Sequence, residues 1–266
     1  MKRSMVVLLL SSLLACGQRR APPVTRASPA VSASPSAESV ALPPAALPAP
    51  VPPPPAAPPP ATVERLAVPG DLPASIVRGL DARAPTTVFL PGLCSNANAY
   101  LQHFPEAARR AGGVVAIDGD TPCVGAPGFR SFTWDVNKQR ARIEAALLAA
   151  GMTDIPREGI TIVGYSQGAT IAEKLAYGAP ARYTRFVLIG APTEPSLESL
   201  RRAQGVVTLS CSLDATQRMK GAARRLQGAG VPSTYLEMRG CTHGNIASGE
   251  ETFRSAFDFL AAAPSR

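Results

Sequence analysis

From about residue 84 to the end, short β-branched apolar runs alternate with helix-forming stretches, and this alternation constrains the chain more than any other feature. The runs are Thr86 to Leu90, Val114 to Ile117, Ile160 to Val163, Arg185 to Ile189, Val206 to Leu209 and Ser233 to Met238. Between them lie segments rich in Ala, Leu, Arg and Glu: Ala97 to Ala111, Val136 to Ala150, Gln167 to Tyr177, Leu197 to Ala203, Ala215 to Gly228 and Glu250 to Ala262. Strand followed by helix, repeated, is the pattern of an α/β domain with a mainly parallel sheet. The runs are almost continuously apolar, as expected when helices cover both faces of the sheet. In such sheets ligands gather at the carboxyl ends of the strands, so the residues following each run are the candidates for chemistry.

After Ile160 to Val163 comes Gly164-Tyr165-Ser166-Gln167-Gly168, a G-x-S-x-G between a strand and a helix. A serine at so sharp a turn needs small flanking residues to let the neighbouring backbone approach. Ser166 is therefore the candidate nucleophile. It needs a base, and the chain has only two histidines. His103 falls inside the first helical stretch and reads as a surface or packing residue. His243 follows the last strand, in Gly240-Cys241-Thr242-His243-Gly244, and is the candidate base.

An acid is expected between the two in sequence. Asp214 stands past the carboxyl end of Val206 to Leu209, where it can orient the imidazole or cap the following helix. Glu194 is the second choice; Glu173 lies on a helix and Glu237 inside a strand. The backbone N–H of Gln167 is expected to donate to the oxyanion, with that of Leu93, in the loop after the first run, as its companion.

Residues from about 84 onward resemble the α/β-hydrolase superfamily in element order and in the Ser166, Asp214 and His243 positions. The stretch from Gly164 to Ala169 is similar to the nucleophile segment of cutinases and of carboxylesterases and acyl-protein thioesterases. The cutinase likeness does not extend to the Asp and His loops. Pro91 stands where many relatives have histidine. The resemblance implies an α/β-hydrolase fold with little or no lid and a serine hydrolase acting on small-molecule or lipid carboxylic esters through an acyl-enzyme. The alternatives are an envelope peptidase or amidase with the same triad, or an inactive hydrolase-fold binding protein. No metal or organic cofactor and no obligate protein partner is implied. The hydrolase topology sets the first two strands side by side and the last two side by side. Four cysteines allow three connectivities; the resemblance implies Cys94 with Cys123 and Cys211 with Cys241, the second bridge tethering the Asp214 and His243 loops, and the alternative is four buried reduced cysteines. Trp134, Phe129 and Phe132 line the mouth of the site or pack beneath it.

The segment before this domain reads differently. Lys2, Arg3 and the apolar run Met5 to Leu14 form a signal peptide, since a membrane span needs about 20 apolar residues. Leu13-Leu14-Ala15-Cys16 resembles the lipobox of bacterial lipoproteins, which implies lipidation at Cys16 and attachment to a membrane of the cell envelope. Gly17, rather than Asp, points to the outer membrane. Residues 17–61 follow as a linker: fifteen of the 28 prolines fall between Pro22 and Pro60. Such a chain forms no core and extends at about 3.1 Å per residue, a reach of roughly 130 Å. The hydrolase domain is thus expected over residues 62–266. Net charge is +8, but the arginines are scattered without interleaved aromatics, which argues against nucleic acid and for anionic envelope surfaces.

Overall fold

The computed structural model describes residues 59–81 and 83–264. The signal segment, Cys16 and the linker as far as residue 58 lie outside the described residues. Two strands absent from the sequence expectation come first, β1 (Glu64–Leu66) and β2 (Ala74–Arg78). The expected runs follow as β3 (Thr87–Leu90) and β4 (Gly113–Ala116), separated by α1 (Ala97–Leu101) and α2 (Pro105–Arg110). A short hairpin, β5 (Thr121–Pro122) and β6 (Arg130–Ser131), leads into α3 (Val136–Ala149). The remainder alternates: β7 (Ile160–Tyr165), α4 (Gln167–Gly178), β8 (Tyr183–Ile189), α5 (Leu197–Leu200), β9 (Gly205–Cys211), α6 (Thr216–Gly228), β10 (Ser233–Met238) and α7 (Gly249–Ala262).

Eight strands form one sheet in the order β1-β2-β4-β3-β7-β8-β9-β10. The six from β4 to β10 run parallel, whereas β2 is antiparallel to β4 and β1 to β2. The adjacency of β3 to β4 and of β9 to β10 is as expected from the sequence. One apolar layer, built on Ile143, Ile171, Leu175, Met219 and Leu226, fills the space between the sheet and α3, α4 and α6. The other, built on Leu101, Phe104, Phe253 and Leu260, packs α1, α2 and α7 on the opposite face. This two-sided cover explains the unbroken apolar runs: Val88, Phe89, Leu90, Ile162, Val163, Val187 and Leu188 are all fully buried.

The single helix expected from Ala97 to Ala111 is two. Pro105 cannot donate to the preceding turn, so it begins α2 at N1 instead. Glu250 on α7 accepts from the free N–H groups of Glu106 and Ala107 at 2.8 and 2.7 Å, and the Phe104 ring stacks on Phe253 with centroids 3.7 Å apart. His103 therefore sits in the turn between the helices, not within one.

Gly168 shows how tightly α4 meets the sheet. A Cβ there would lie 2.0 Å from the carbonyl oxygen of Leu90, and one on Gly164 would lie 2.4 Å from that of Gly168. Both obstacles are backbone, which no rotamer change relieves. Gly168→Ala is expected to destabilise the domain by about 3 kcal/mol or more, read from urea unfolding. Gly178→Ala in the same helix, where nothing lies within 4 Å, is expected to be neutral or to stabilise by about 0.5 kcal/mol.

Candidate active site

Ser166 occupies the one-residue turn between β7 and α4, with φ 51° and ψ −110°. This backbone costs a non-glycine residue of order 1–3 kcal/mol. It persists because the Ser166 N–H donates to the Ile189 oxygen at 2.8 Å while the flanking glycines lock the strand and helix around it. The side chain is thereby aimed out of the carboxyl edge of the sheet.

His243, in the loop between β10 and α7, meets it there. Its Nε2 lies 3.0 Å from Ser166 Oγ, and its Nδ1 lies 2.7 Å from Asp214 Oδ2. Burial pushes the Asp214 carboxyl up, but the hydrogen bonds from His243 and from the Ala215 N–H outweigh it and hold the group below its ordinary range. The carboxylate is then purely an acceptor, which places the imidazole proton on Nδ1 and leaves Nε2 free to accept from the serine hydroxyl. The capping role weighed from the sequence does not fall to Asp214: the N-cap of α6 is Ala215, without a side-chain cap, and Asp214 Oδ1 instead accepts from the adjacent Ala215 N at 2.6 Å. Gly190, at φ 51°, passes directly beneath the pair: a Cβ there would come within 3.1 Å of the imidazole and 3.2 Å of Asp214 Oδ2.

The other acids are engaged elsewhere. Glu194 pairs with Arg225, Glu173 accepts from Ser196 N at 2.8 Å, and Glu237 binds Lys220 at 3.1 Å.

The loop carrying Leu93 lies against Ser166. A Cβ on Gly92 would be 3.3 Å from Ser166 Cβ, so Leu93 is the next residue along from that contact. Ser95 Oγ closes the turn on Gly92 O at 2.6 Å. Gln167 is the first residue of α4, where N–H groups have no partner within a helix. The disulfides are Cys94–Cys123 and Cys211–Cys241. The first joins the Leu93 loop to the β5–β6 hairpin; the second joins the segments that carry Asp214 and His243.

Two residues of the site, and the side-chain role of a third, escaped the sequence reading. Tyr165 is buried beside Ser166, and its phenol accepts from Gly244 N at 2.7 Å and donates to Asn245 O at 3.3 Å. Burial pushes this phenol up to about 12, so it stays protonated at neutral pH. Tyr100 donates to Gly244 O at 2.7 Å. Together they grip the residue after His243 from below. The Gln167 side chain clasps Phe132 by its backbone, accepting from N and donating to O at 2.9 Å each. Their only sequence signal was position: Tyr165 and Gln167 are the two variable places of the G-x-S-x-G. Tyr165→Phe is expected to lower kcat about tenfold with KM nearly unchanged, because it leaves Gly244 N–H without its acceptor and loosens His243.

Phe132 packs in the core, while Phe129 and Trp134 are exposed. Phe129 lines a cleft of about 360 Å³ together with Leu93, Tyr100, His103, Gly244 and Ile246. His103, assigned to a helix by the sequence reading, thus borders this cleft.

No family model and no curated protein matches the chain. Solved structures do. The fluorophosphonate-binding serine hydrolase F of Staphylococcus aureus is 11% identical, with TM-score 0.53 over 76% of this chain and 98% of that one. A Bacillus cereus carboxylesterase is 19% identical, with TM-score 0.52 over 72% and 94%. Carboxyl esterase 2 of Tuber melanosporum is 14% identical, with TM-score 0.53 over 77% and 87%. The chain has the α/β-hydrolase fold. At these identities the likeness defines the architecture; what the site does is argued from its own geometry.

Proposed function

We propose that the protein is a serine hydrolase that cleaves carboxylic esters. The observation that carries this reading is the continuous hydrogen-bonded line from Ser166 Oγ through His243 to Asp214, with the nucleophile at a strained strand-to-helix turn. Ser166 Oγ attacks the ester carbonyl carbon while His243 Nε2 takes the hydroxyl proton. Asp214 stabilises the imidazolium so formed. The carbonyl oxygen, now an anion, faces the backbone N–H groups of Leu93 and Gln167. Collapse breaks the bond to the alcohol, which leaves with the proton from Nε2. Water then attacks the acyl-Ser166 by the same route, and the acid is released. The solved neighbours named as carboxylesterases and as a fluorophosphonate-binding serine hydrolase are consistent with this chemistry.

The test is a panel of p-nitrophenyl esters from acetate to palmitate beside matched anilides and peptides, with fluorophosphonate labelling and mapping of the modified residue. Ester turnover with label on Ser166 supports the reading. Faster cleavage of anilides or peptides makes the protein an amidase. A folded chain with neither turnover nor label makes it a binding protein.

We further propose that lipidation at Cys16 holds the domain to an envelope membrane through the proline-rich segment. The support is the Leu13-Leu14-Ala15-Cys16 sequence. Incorporation of radiolabelled palmitate by the parent chain and none by Cys16→Ser is the expected result.

A further inference from the structure

The two N–H groups proposed to receive the oxyanion belong to separate segments, and only one of them is fixed by a helix. Gln167 begins α4. Leu93 lies in a turn, its side chain exposed and its N–H donating to no described residue. What holds that N–H is the turn around it. Ser95 Oγ closes the turn on Gly92 O at 2.6 Å. Cys94 takes a left-handed backbone at φ 47°, which a residue with a side chain keeps only where its surroundings enforce it. Those surroundings are the β5–β6 hairpin. Ser95 and Arg130 of β6 exchange both backbone hydrogen bonds at 3.0 Å. The disulfide joins Cys94 to Cys123, the residue after β5.

The hairpin is anchored in turn to α4, by Gln167 itself. Directly after β6 comes Phe132, whose N–H donates to Gln167 Oε1 and whose carbonyl accepts from Gln167 Nε2, each at 2.9 Å. The backbone dictates which way the amide faces, because a peptide N–H only donates and a peptide carbonyl only accepts. Gln167 and Phe132 are both buried, so losing the side-chain amide leaves two peptide groups unsatisfied. The Gly168 contact seats α4 on Leu90 and Pro91, but the turn that carries Leu93 lies beyond them, where the bonds to the hairpin are.

We infer that Gln167 is a positioning residue for the oxyanion pocket: its side chain, acting through Phe132 and β6, registers the turn bearing the Leu93 N–H against the N–H that Gln167 itself supplies. One residue thus provides one donor with its backbone and aligns the other with its side chain. Alignment matters because such donors act only when held within about 0.5 Å of the productive geometry. The inference rests on the reading of Ser166 as an ester nucleophile.

The test compares, in the full chain, p-nitrophenyl acetate with its thionoester, in which sulfur replaces the carbonyl oxygen. Sulfur is a weak hydrogen-bond acceptor, so the preference for the oxygen ester reads the oxyanion donors. Gln167→Met keeps the length of the side chain and removes both hydrogen bonds to Phe132. It is expected to lower kcat on the ester about 10–100-fold with KM nearly unchanged, and kcat on the thionoester less than about threefold. Tyr165→Phe, which acts through His243, should lower both substrates alike. Gln167→Glu supplies a rescue. Its carboxylate cannot donate to Phe132 O, but the carboxylic acid formed at lower pH can, so its ester preference should rise toward the parent's as pH falls. His243 and every other group titrate in the parent as well, which makes the parent's ratio the reference. Parallel losses on both substrates in Gln167→Met would make the clasp a matter of stability alone and overturn the inference. A preference in Gln167→Glu that follows the parent's at every pH would overturn it equally. A parent chain that hydrolyses neither ester removes the esterase reading and this inference with it. A parent that prefers the oxygen ester, with that preference intact in Gln167→Met, removes the positioning role and leaves the esterase in place.

Discussion

Ser166→Ala is expected to lower kcat for ester hydrolysis by about 10⁶-fold, the scale seen when a triad nucleophile is removed. The loss is chemical, not structural. Alanine meets the same strain at φ 51° as serine does, and the N–H bond to Ile189 O is kept, so the unfolding midpoint should hardly move. Ser166→Gly is equally inactive but should be more stable by about 1–2 kcal/mol, because glycine accepts this backbone without strain. His243→Ala should cost a similar factor, and the double variant should cost little beyond either alone, since the two act as one unit. Steady-state kinetics on a p-nitrophenyl ester, with urea unfolding of each variant, checks all three. A loss of less than about tenfold for Ser166→Ala would remove the serine from the chemistry, because no unit of this kind survives without its nucleophile.

Asp214→Asn is expected to lower kcat about 10⁴-fold, by letting the imidazole take the tautomer in which Nε2 is protonated and cannot accept from Ser166. Glu194→Gln, the competing assignment, should leave kcat within about twofold, for its partner is Arg225 at the surface and such pairs contribute about 0–1 kcal/mol. The two substitutions also separate in stability against pH. The Asp214 carboxyl is held below its unfolded value, so its contribution is fully present above the unfolded value of about 3.9 and is lost as pH falls through the lower folded value. The parent domain should therefore lose stability over that acid window, while Asp214→Asn shows a flatter response there in urea midpoints measured from neutral pH downward.

The alternation of apolar runs and helical stretches made the six parallel strands readable, because a strand covered on both faces must be apolar throughout. It did not reveal β1 and β2. These are short edge elements paired antiparallel, and their pattern is too brief to separate from loop. Pro105 carried a clear signal for the break between α1 and α2; the run of Ala and Arg beyond it looked like one helix and hid the turn that puts His103 beside the cleft. Phe129, Phe132 and Trp134 were equally readable as lining the mouth of the site or packing beneath it, because such residues serve both roles. Phe132, between them, is buried, and only packing told the three apart.

The sequence by itself determined which residues are able to do the chemistry. With two histidines in the chain and one of them past the last strand, the base had a single good candidate, and the G-x-S-x-G between a strand and a helix had a single serine. Those are local facts, set by composition and by what a sharp turn allows. The tertiary structure alone decided how the site is held. Tyr100, Tyr165 and Gly190 reach His243 and its neighbours across separations that no local pattern records, and it is Asp214, the sequence's first choice over Glu194, that the packed sheet brings to within 2.7 Å of the imidazole. Contacts of this kind depend on how layers of side chains settle against one another, and only the packed chain expresses that.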